Sequence, residues 1–300
     1  MWFRNARIYR LSPSFSMTAA QMAEHLDRYA FRPGNSSEMQ SIGWMPPRKN
    51  GGPVHAIGDQ FLIALRAESK LLPASVINQA AKARAAEAEE QQGYKPGRKQ
   101  MKEIKEQITD ELLPKAFSVY RDTRAWIDTK NRWLVIDAAA SARADELLGL
   151  LAKSVDPFPV ESLYVTQSPA AAMTQWLTDD EAPPNLSIDQ DTELRASGES
   201  GAAVRFVKHS IDPDDVRRHI GSGKQCTRLA LTWADRVSFV LNESLDLKRL
   251  APLDVIKENG DAMSQNDAEQ FDSDFTLMAG EMAKLLADLV DALGGEKTSP

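Results

Sequence analysis

The sequence predicts an α+β fold in which antiparallel or mixed sheets with hairpins are joined to a long helical arm. Two apolar, alternating strand pairs surround short polar turns at residues 129–132 and 234–235, which is typical of hairpins. From residue 73 onwards the chain is rich in Ala, Glu and Lys, which favour helix. With 300 residues, of which 42% are hydrophobic, the chain is long enough to bury a core in two or three subdomains.

Residues 1–72 are predicted to form the N-terminal α+β part of the body. Phe3 to Leu11 indicates an opening strand, and Phe61 to Leu65 indicates a buried strand. Thr18 is placed to cap a short helix. The segment from Ile42 to Pro47 is expected to lack regular structure, because its prolines remove backbone donors.

Residues 73–120 are predicted to form the arm and an elbow at its base. One helix runs from Pro73 to Gln92, residues 93–97 interrupt it with Gly and Pro, and a second helix runs from about Arg98 to Leu113. The narrow apolar stripe of the second helix favours projection from the body. That stripe consists of Met101, Ile104, Ile108 and Leu112, and the opposite face carries Lys99, Lys102 and Lys105.

Residues 121–300 are predicted to form a second α+β part of the body. The acidic residues 167–201, rich in Pro, Ser and Gly, are interpreted as a linker or peripheral loop. Asp212 is placed to cap a helix that ends at Gly221. The C-terminal helix, centred on residues 278–293, has the strongest amphipathic pattern of the chain.

Charge is sorted along the sequence. The net charge is −7, but residues 1–132 carry 21 Lys and Arg against 14 Asp and Glu, and residues 202–249 carry 9 against 6. Residues 133–201 and 250–300 are strongly acidic. Folding the two basic stretches together would present a cationic surface to a polyanion despite the acidic total.

The composition is typical of a cytoplasmic protein. Cys226 is the only cysteine and can form no internal disulfide, which fits a reducing compartment. The first residues lack the apolar core of a signal peptide, and no stretch has the length of a membrane span. No membrane partner is therefore expected.

No catalytic residue, metal site or cofactor is predicted. Residues 221–224 (Gly-Ser-Gly-Lys) suggest a phosphate-binding loop, but Arg218 stands where that loop needs its first Gly, and Gln225 where it needs Ser or Thr. The four histidines and Cys226 lack metal-ligand spacing. The enzymatic alternative is a metal-dependent phosphoesterase that uses Asp212 or Asp215.

Cys226 is interpreted as a packing residue in a strand. Lys224 and Arg228 lie close to it in the sequence, and such cationic neighbours favour a lowered thiol pKa.

Several segments, taken in order and spacing, resemble the RdgC family of recombination-associated bacterial proteins. They are residues 2–5 (Trp-Phe-Arg-Asn), residues 9–12 (Tyr-Arg-Leu-Ser), residues 43–47 (Gly-Trp-Met-Pro-Pro), Leu72-Pro73, the elbow at residues 112–118, residues 126–129 (Trp-Ile-Asp-Thr), and the ending at residues 271–275 and 293–296. The resemblance extends over nearly the whole chain.

The resemblance implies a non-enzymatic, nucleoid-associated homodimer, closed into a ring with a positively charged hole. It also implies DNA binding with little sequence preference and restraint of the RecA recombinase. Phe117 matches the gate phenylalanine of the family, Lys208 matches a lysine of the same closing interface, and Lys224 matches a lysine after a short helix. The position after Lys208 is His209 here, where a relative has Gln, which predicts pH-sensitive closure.

Two sets of cations are the candidate DNA contacts, because a two-fold ring doubles each basic segment on one inner surface. They lack interleaved aromatic residues that would stack on bases, so contact to the backbone of duplex DNA is expected. Binding to single-stranded DNA is left as an open alternative. Each lysine is equally compatible with a solvated helix face. The arm set is Lys95, Arg98, Lys99, Lys102, Lys105 and Lys115; the second set is Lys208, Arg217, Arg218, Lys224 and Arg228.

The alternative function is an interaction protein that inhibits the recombinase by direct contact rather than by coating DNA. The acidic C-terminal region would then provide the contact surface.

Overall fold

Two antiparallel sheets and a helical hairpin form the molecule in the computed structural model, which describes residues 1–157, 160–197, 201–208, 212–256 and 266–297. All pairings between the strands of these ranges are antiparallel. The predicted α+β class with hairpins is confirmed. The assembly of two copies into a ring stays a prediction.

The first sheet has seven strands in the order β2-β4-β5-β6-β1-β7, with β3 also paired to β4. The strands are β1 (Arg7–Leu11), β2 (Gln40–Met45), β3 (Val54–Ile57), β4 (Gln60–Lys70), β5 (Ser118–Asp128), β6 (Trp133–Ile136) and β7 (Val160–Ser162). Helices α1 (Ala19–Asp27) and α4 (Ser141–Ser154) pack on one face of this sheet.

The second sheet has five strands in the order β12-β11-β10-β8-β9. They are β8 (Leu186–Ala196), β9 (Ala203–Phe206), β10 (Lys224–Trp233), β11 (Val237–Asn242) and β12 (Leu247–Pro252). The helices of this half are α5 (Pro169–Asp179), α6 (Pro213–Gly221) and α7 (Asp267–Ala292).

The arm is a helical hairpin inserted between two paired strands. Its helices are α2 (Ala74–Gln92) and α3 (Arg98–Leu112), followed by a short 3₁₀ turn over Leu113–Lys115. Lys70, the last residue of β4, pairs with Ser118, the first residue of β5, so the chain leaves and re-enters the sheet at one point. The two predicted helices and the Gly/Pro interruption between them are confirmed.

Helix α7 connects the two sheets through one core. Met278, Met282 and Leu285 are buried in the cluster that also contains Trp126 of the first sheet and Phe239 of the second. Each buried Leu or Met side chain contributes roughly 1.5–3 kcal/mol. The C-terminal helix is therefore a central element of the fold, and Gly294 and Gly295 end it with φ values of 80° and 87°.

The continuous apolar run in β4 is explained by burial on both sheet faces. Leu62 faces the α7 core, whereas Phe61, Ile63 and Leu65 belong to the core under α1 and α4.

Two sequence interpretations were wrong. Residues 40–45 form strand β2, because Pro46 and Pro47 follow the strand and end it rather than interrupt it. The acidic residues 167–201 are not a peripheral loop, because they contain α5 and β8, and β8 lies inside the second sheet. Their Pro and Ser residues cap elements there: Ser168 accepts the N–H of Ala171, and Pro169 is the first residue of α5.

Candidate nucleic-acid interface

A stripe of cations runs along the outer face of α3. Arg98, Lys102 and Lys105 fall within about 60° of the helix circumference, because consecutive residues are about 100° apart. All three side chains are exposed. A different side of α3, with Ile104 and Ile108, packs against the alanines of α2, so the three cations lie outside the seam between the two helices.

Most arm cations have no carboxylate partner among the described residues. Lys102 lies 3.6 Å from Glu106, a pair that is mostly exposed and therefore weak. Among the described residues the others form no ion pair, and all are exposed: Lys95 at the tip, Arg98 and Lys99 in the first turn of α3, Lys105, and Lys115 at the base. The structure therefore leaves this set free to contact an anion.

The second predicted set is more dispersed, and two of its members are already engaged. Arg217 donates to the backbone oxygen of Thr178 at 2.9 Å and lies 3.4 Å from Asp214. Arg218 lies 3.1 Å from Asp215. Both arginines are thus tied to α5 or to the acidic first turn of their own helix.

The remaining members of that set differ from one another. Lys224 donates to the Ser222 hydroxyl at 3.0 Å, and Arg228 has no carboxylate partner within the described ranges. The backbone N–H of Lys208 donates to Asp191, and its φ is 50°. No hydrogen bond or ion pair of the described residues links this set to α2 or α3.

Phe117 is the most exposed large apolar side chain of the described residues, at 82%. Its backbone oxygen accepts the N–H of Leu71 at 2.7 Å, which fixes the base of the arm. Leu71, Val119 and Tyr120 around it are also exposed, by 45–56%. Large exposed apolar side chains are candidates for a contact surface, and the gate role of Phe117 stays a prediction. His209, the predicted neighbour of Lys208 in the gate, lies outside the described residues.

Two arrangements were missed by the sequence reasoning. The Arg66 guanidinium lies 5.4 Å from the Tyr120 ring and 6.0 Å from the Phe31 ring, and in this aromatic and cationic cluster Tyr120 is exposed whereas the other two residues are half-buried. Arg205 and Arg249 lie with Arg228 along a cleft in the second sheet. Apolar and polar residues alternate at Val204, Arg205 and Phe206, which is typical of a strand, and this alternation was the available signal for Arg205.

Two enzymatic arrangements considered in the sequence can be compared with the described residues. No group of three or more His, Cys, Asp or Glu side chains within the described ranges is arranged to hold a metal ion. Residues 221–224 connect the end of α6 to the start of β10, the reverse of the strand-to-helix order that a phosphate-binding loop needs. Asp212 caps α6 by accepting the N–H of Asp214, as predicted. The prediction that the protein is not an enzyme stays a prediction.

Cys226 is buried in the core, which confirms its interpretation as a packing residue, and its cationic neighbours do not lower the thiol pKa. Burial raises the pKa of the thiol to about 12; a backbone hydrogen bond with Arg228 lowers it in part, and the negative charge of Glu193 adds to the rise. Desolvation decides the outcome because the thiol lies inside the core.

The fold and the surface define a two-sheet α+β protein with a projecting, cation-bearing helical arm. A family model with the description "RdgC: Putative exonuclease, RdgC" matches residues 1–296, and the chain therefore belongs to the RdgC family. The resemblance inferred from the sequence is confirmed. No helix in the described part of the chain is long and apolar enough to cross a membrane.

Curated relatives match the chain over nearly its full length. It is 72% identical over 297 residues to the recombination-associated protein RdgC of Bordetella parapertussis, covering 99% of each chain. Identity to the proteins of the same name from Janthinobacterium sp. (strain Marseille) and Cupriavidus necator is 60% over 296 residues and 58% over 297 residues, again covering 99% of each chain. The relatives' names associate them with recombination, whereas the family description names an exonuclease.

Proposed function

We propose that this protein binds duplex DNA without sequence preference, as a homodimeric ring that encloses the DNA. By occupying the duplex in the nucleoid it restrains the RecA recombinase and so modulates homologous recombination in the cytoplasm. The observation that carries this proposal is the exposed, largely unpaired cation stripe on α3. The printed names of the relatives support its placement in recombination.

The chemistry of the arm fits phosphate contact rather than base reading. Lysine and arginine side chains that neutralise phosphates release condensed counterions, which makes affinity steeply dependent on salt and indifferent to sequence. A long helix that projects from the body is able to reach along a duplex. The acidic face of α3, with Glu103, Glu106 and Asp110, lies beside the cationic stripe and would confine contact to one side.

Fluorescence anisotropy on two unrelated duplexes of equal length, titrated with salt, tests the proposal. Similar affinities are expected for both duplexes, with a loss of about a thousandfold or more between roughly 50 and 200 mM salt if six to ten phosphates are neutralised. Replacing Arg98, Lys102 and Lys105 together by Gln should weaken binding and flatten the salt slope by about 3.

The matched control removes the same charge from the α1 and α4 side of the body, by Arg28→Gln, Arg143→Gln and Lys153→Gln, which are also exposed. Equal losses in the two triple variants would reject the arm as the contact, because only total charge would then matter. Absence of binding at 50 mM salt would reject DNA binding itself.

Two further assays separate the alternatives. If the arm variant loses DNA binding but still inhibits strand exchange by the recombinase, direct protein contact replaces DNA coating as the mechanism. Because the family description names an exonuclease, linear duplex should also be incubated with Mg²⁺ or Mn²⁺. Degradation that Asp212→Asn or Asp215→Asn abolishes would overturn the non-enzymatic proposal.

A further inference from the structure

Arginines from three strands line a cleft on the second sheet, which we term the arginine cleft. It contains Arg205 of β9, Arg228 of β10 and Arg249 of β12, with Asp191 and Glu193 of β8 between them and Val240 in its lining. The strand register places Glu193 opposite Arg228 on one side and opposite Arg205 on the other. The side chains of Arg228, Glu193 and Arg205 therefore form a row across adjacent strands.

The two carboxylates of the cleft are already satisfied by other groups. Glu193 binds Arg205 at 2.5 Å and Arg195 at 2.9 Å. Burial of Glu193 raises its pKa, but the two arginines outweigh this effect and hold the pKa below its usual range. Asp191 lies 3.3 Å from Arg249 and accepts the backbone N–H of Lys208 at 2.9 Å.

Positive charge therefore exceeds negative charge in this cleft. Four guanidinium groups, of Arg195, Arg205, Arg228 and Arg249, meet two carboxylates. Within the described ranges Arg228 has no carboxylate partner, and the side chains of Arg205 and Arg249 are 61% and 70% exposed. A guanidinium group carries five N–H donors, so most donors of these three arginines are available to a ligand.

The backbone departs from regular strand geometry at the same residues. A register shift lies between Cys226 and Arg228, and another lies between Ser238 and Val240 in the pairing of β11 with β12. Arg249 itself has a φ of 52°, in the left-handed region that a residue with a side chain seldom adopts. Bulges of this kind redirect side chains and are frequent beside functional sites.

We propose that the arginine cleft binds a phosphate group, and that in the working protein this phosphate belongs to the DNA backbone. The planar fork of a guanidinium matches two oxygens of a phosphate, and clustered arginines are a recurrent phosphate-binding arrangement. The cleft is a second contact, separate from the α3 stripe. The claim that the phosphate belongs to DNA rests on the proposed function, whereas the claim that the cleft binds a phosphate group does not.

Arginine-selective labelling with phenylglyoxal, read residue by residue by mass spectrometry, tests the cleft directly. The probes are inorganic tripolyphosphate, a short duplex, and a peptide of alternating Asp and Glu. Both phosphate-bearing probes are expected to protect Arg228 and Arg249 at least threefold, without protecting Arg28, an exposed arginine paired with Glu24 on α1. The double variant Arg228→Gln with Arg249→Gln should weaken duplex binding about tenfold and lower the salt slope by 1 to 2.

The outcomes separate the two proposals. Protection by tripolyphosphate without any duplex binding would reject the proposed function and keep the phosphate site. Duplex binding that depends on the arm, with Arg228 unprotected by either phosphate probe, would overturn the cleft and leave DNA binding in place. Stronger protection by the acidic peptide than by tripolyphosphate would also overturn it, since the cleft would then prefer carboxylates.

Discussion

Arg10 in β1 and Glu296 after the C-terminal helix form a bidentate ion pair, with Nε–Oε1 at 2.9 Å and Nη2–Oε2 at 2.5 Å. The same guanidinium donates to the backbone oxygen of Asn131 and stacks 3.4 Å from the centre of the Trp133 ring. Backbone hydrogen bonds from Thr166 to Gly295 and from Lys297 to Tyr164 hold the adjoining tail. The tail thus closes over the edge of the first sheet.

Arg10→Ala should lower the free energy of unfolding by about 2 kcal/mol, because it removes the ion pair, a hydrogen bond and the ring contact. Glu296→Gln removes the charge alone and should cost about 0.5–1 kcal/mol. Urea denaturation of both single variants and the double variant measures the coupling. Additive losses would show that the two side chains do not interact, and Arg28→Ala, at the C-terminal cap of α1, is the exposed-pair control.

Gly43→Ala should lower the free energy of unfolding by about 3 kcal/mol. A Cβ atom at this position would lie 2.3 Å from the Phe31 Cα and 2.5 Å from the Phe31 N, and neither backbone atom is able to move aside cheaply. The crossing segment is held there by hydrogen bonds of Trp44 to Tyr29 and Phe31.

Gly149→Ala is the matched control, because a Cβ there meets nothing within 4 Å and the residue lies inside α4. It should raise the free energy of unfolding by about 0.5–1 kcal/mol. Similar effects of the two substitutions in urea denaturation would contradict the close approach at Gly43.

The arm should unfold separately from the body. Its seam contains only Ala81, Ala85, Ile104 and Ile108 as buried residues, and that cluster is distinct from the two cores of the body. Ile108→Ala should destabilise the helical hairpin by about 2–4 kcal/mol. Hydrogen exchange monitored by mass spectrometry should then show fast exchange over residues 74–112 with little change in β4 and β5.

Leu134→Ala, in the core under α1 and α4, is the contrasting substitution. It should accelerate exchange across the body. Equal acceleration of both regions by Ile108→Ala would mean that the arm and the body unfold as one unit.

The sequence was most informative where one segment carries its own signal. The two arm helices, their interruption at Gly93 to Gly97, and the cap at Thr18 depend on local propensity and capping, and all were predicted. Strand β8 was missed because its burial is decided by neighbours far away in the chain: Arg195 and Glu193 look like loop residues until β9 and β10 pair with them.

In the candidate site, too, one part follows from a local sequence pattern and another part depends on pairing between distant segments. The exposure of the α3 cations follows from helical spacing, since they lie outside the apolar stripe that packs on α2. The arginine cleft was not predictable, because Arg205, Arg228 and Arg249 are brought together by register and by bulges that no local pattern announces.

Stability should fall as the pH drops through the range around 6.5, and His55 should account for part of the loss. Burial lowers the pKa of His55, Asp272 at 3.2 Å opposes that effect, and the nearby Arg48 reinforces it. A lowered folded pKa means that the unfolded chain binds the proton more readily. The neutral ring therefore stabilises the fold above the unfolded pKa, and this contribution is lost as the pH falls.

Urea denaturation at pH 7.5 and 5.5 compares the wild type with His55→Gln. The difference in stability between the two pH values should be smaller in the variant. Asp272→Asn removes the group that favours the protonated ring, so the stability difference between the two pH values should become larger. An unchanged pH dependence in His55→Gln would exclude this residue as a source.

Phe117→Ser should leave the folded chain intact and act only on assembly. Because the side chain is 82% exposed, its removal should change the free energy of unfolding by less than about 0.5 kcal/mol. If Phe117 enters a closing interface between two copies, its loss should raise the dimer dissociation constant at least tenfold, as expected for an aromatic anchor. Retention on closed circular DNA after a salt wash should fall, whereas binding to short linear duplex should change little.

Tyr164→Ser is the control, since Tyr164 is an aromatic residue with 46% exposure at a different site. Analytical ultracentrifugation gives the dimer constant, and circular against linearised plasmid gives the topological effect. Phe117→Ser that matches the wild type in both measurements would remove the gate role. A loss of retention on circular DNA with an unchanged dimer constant would place Phe117 in DNA entry rather than in holding the two copies together.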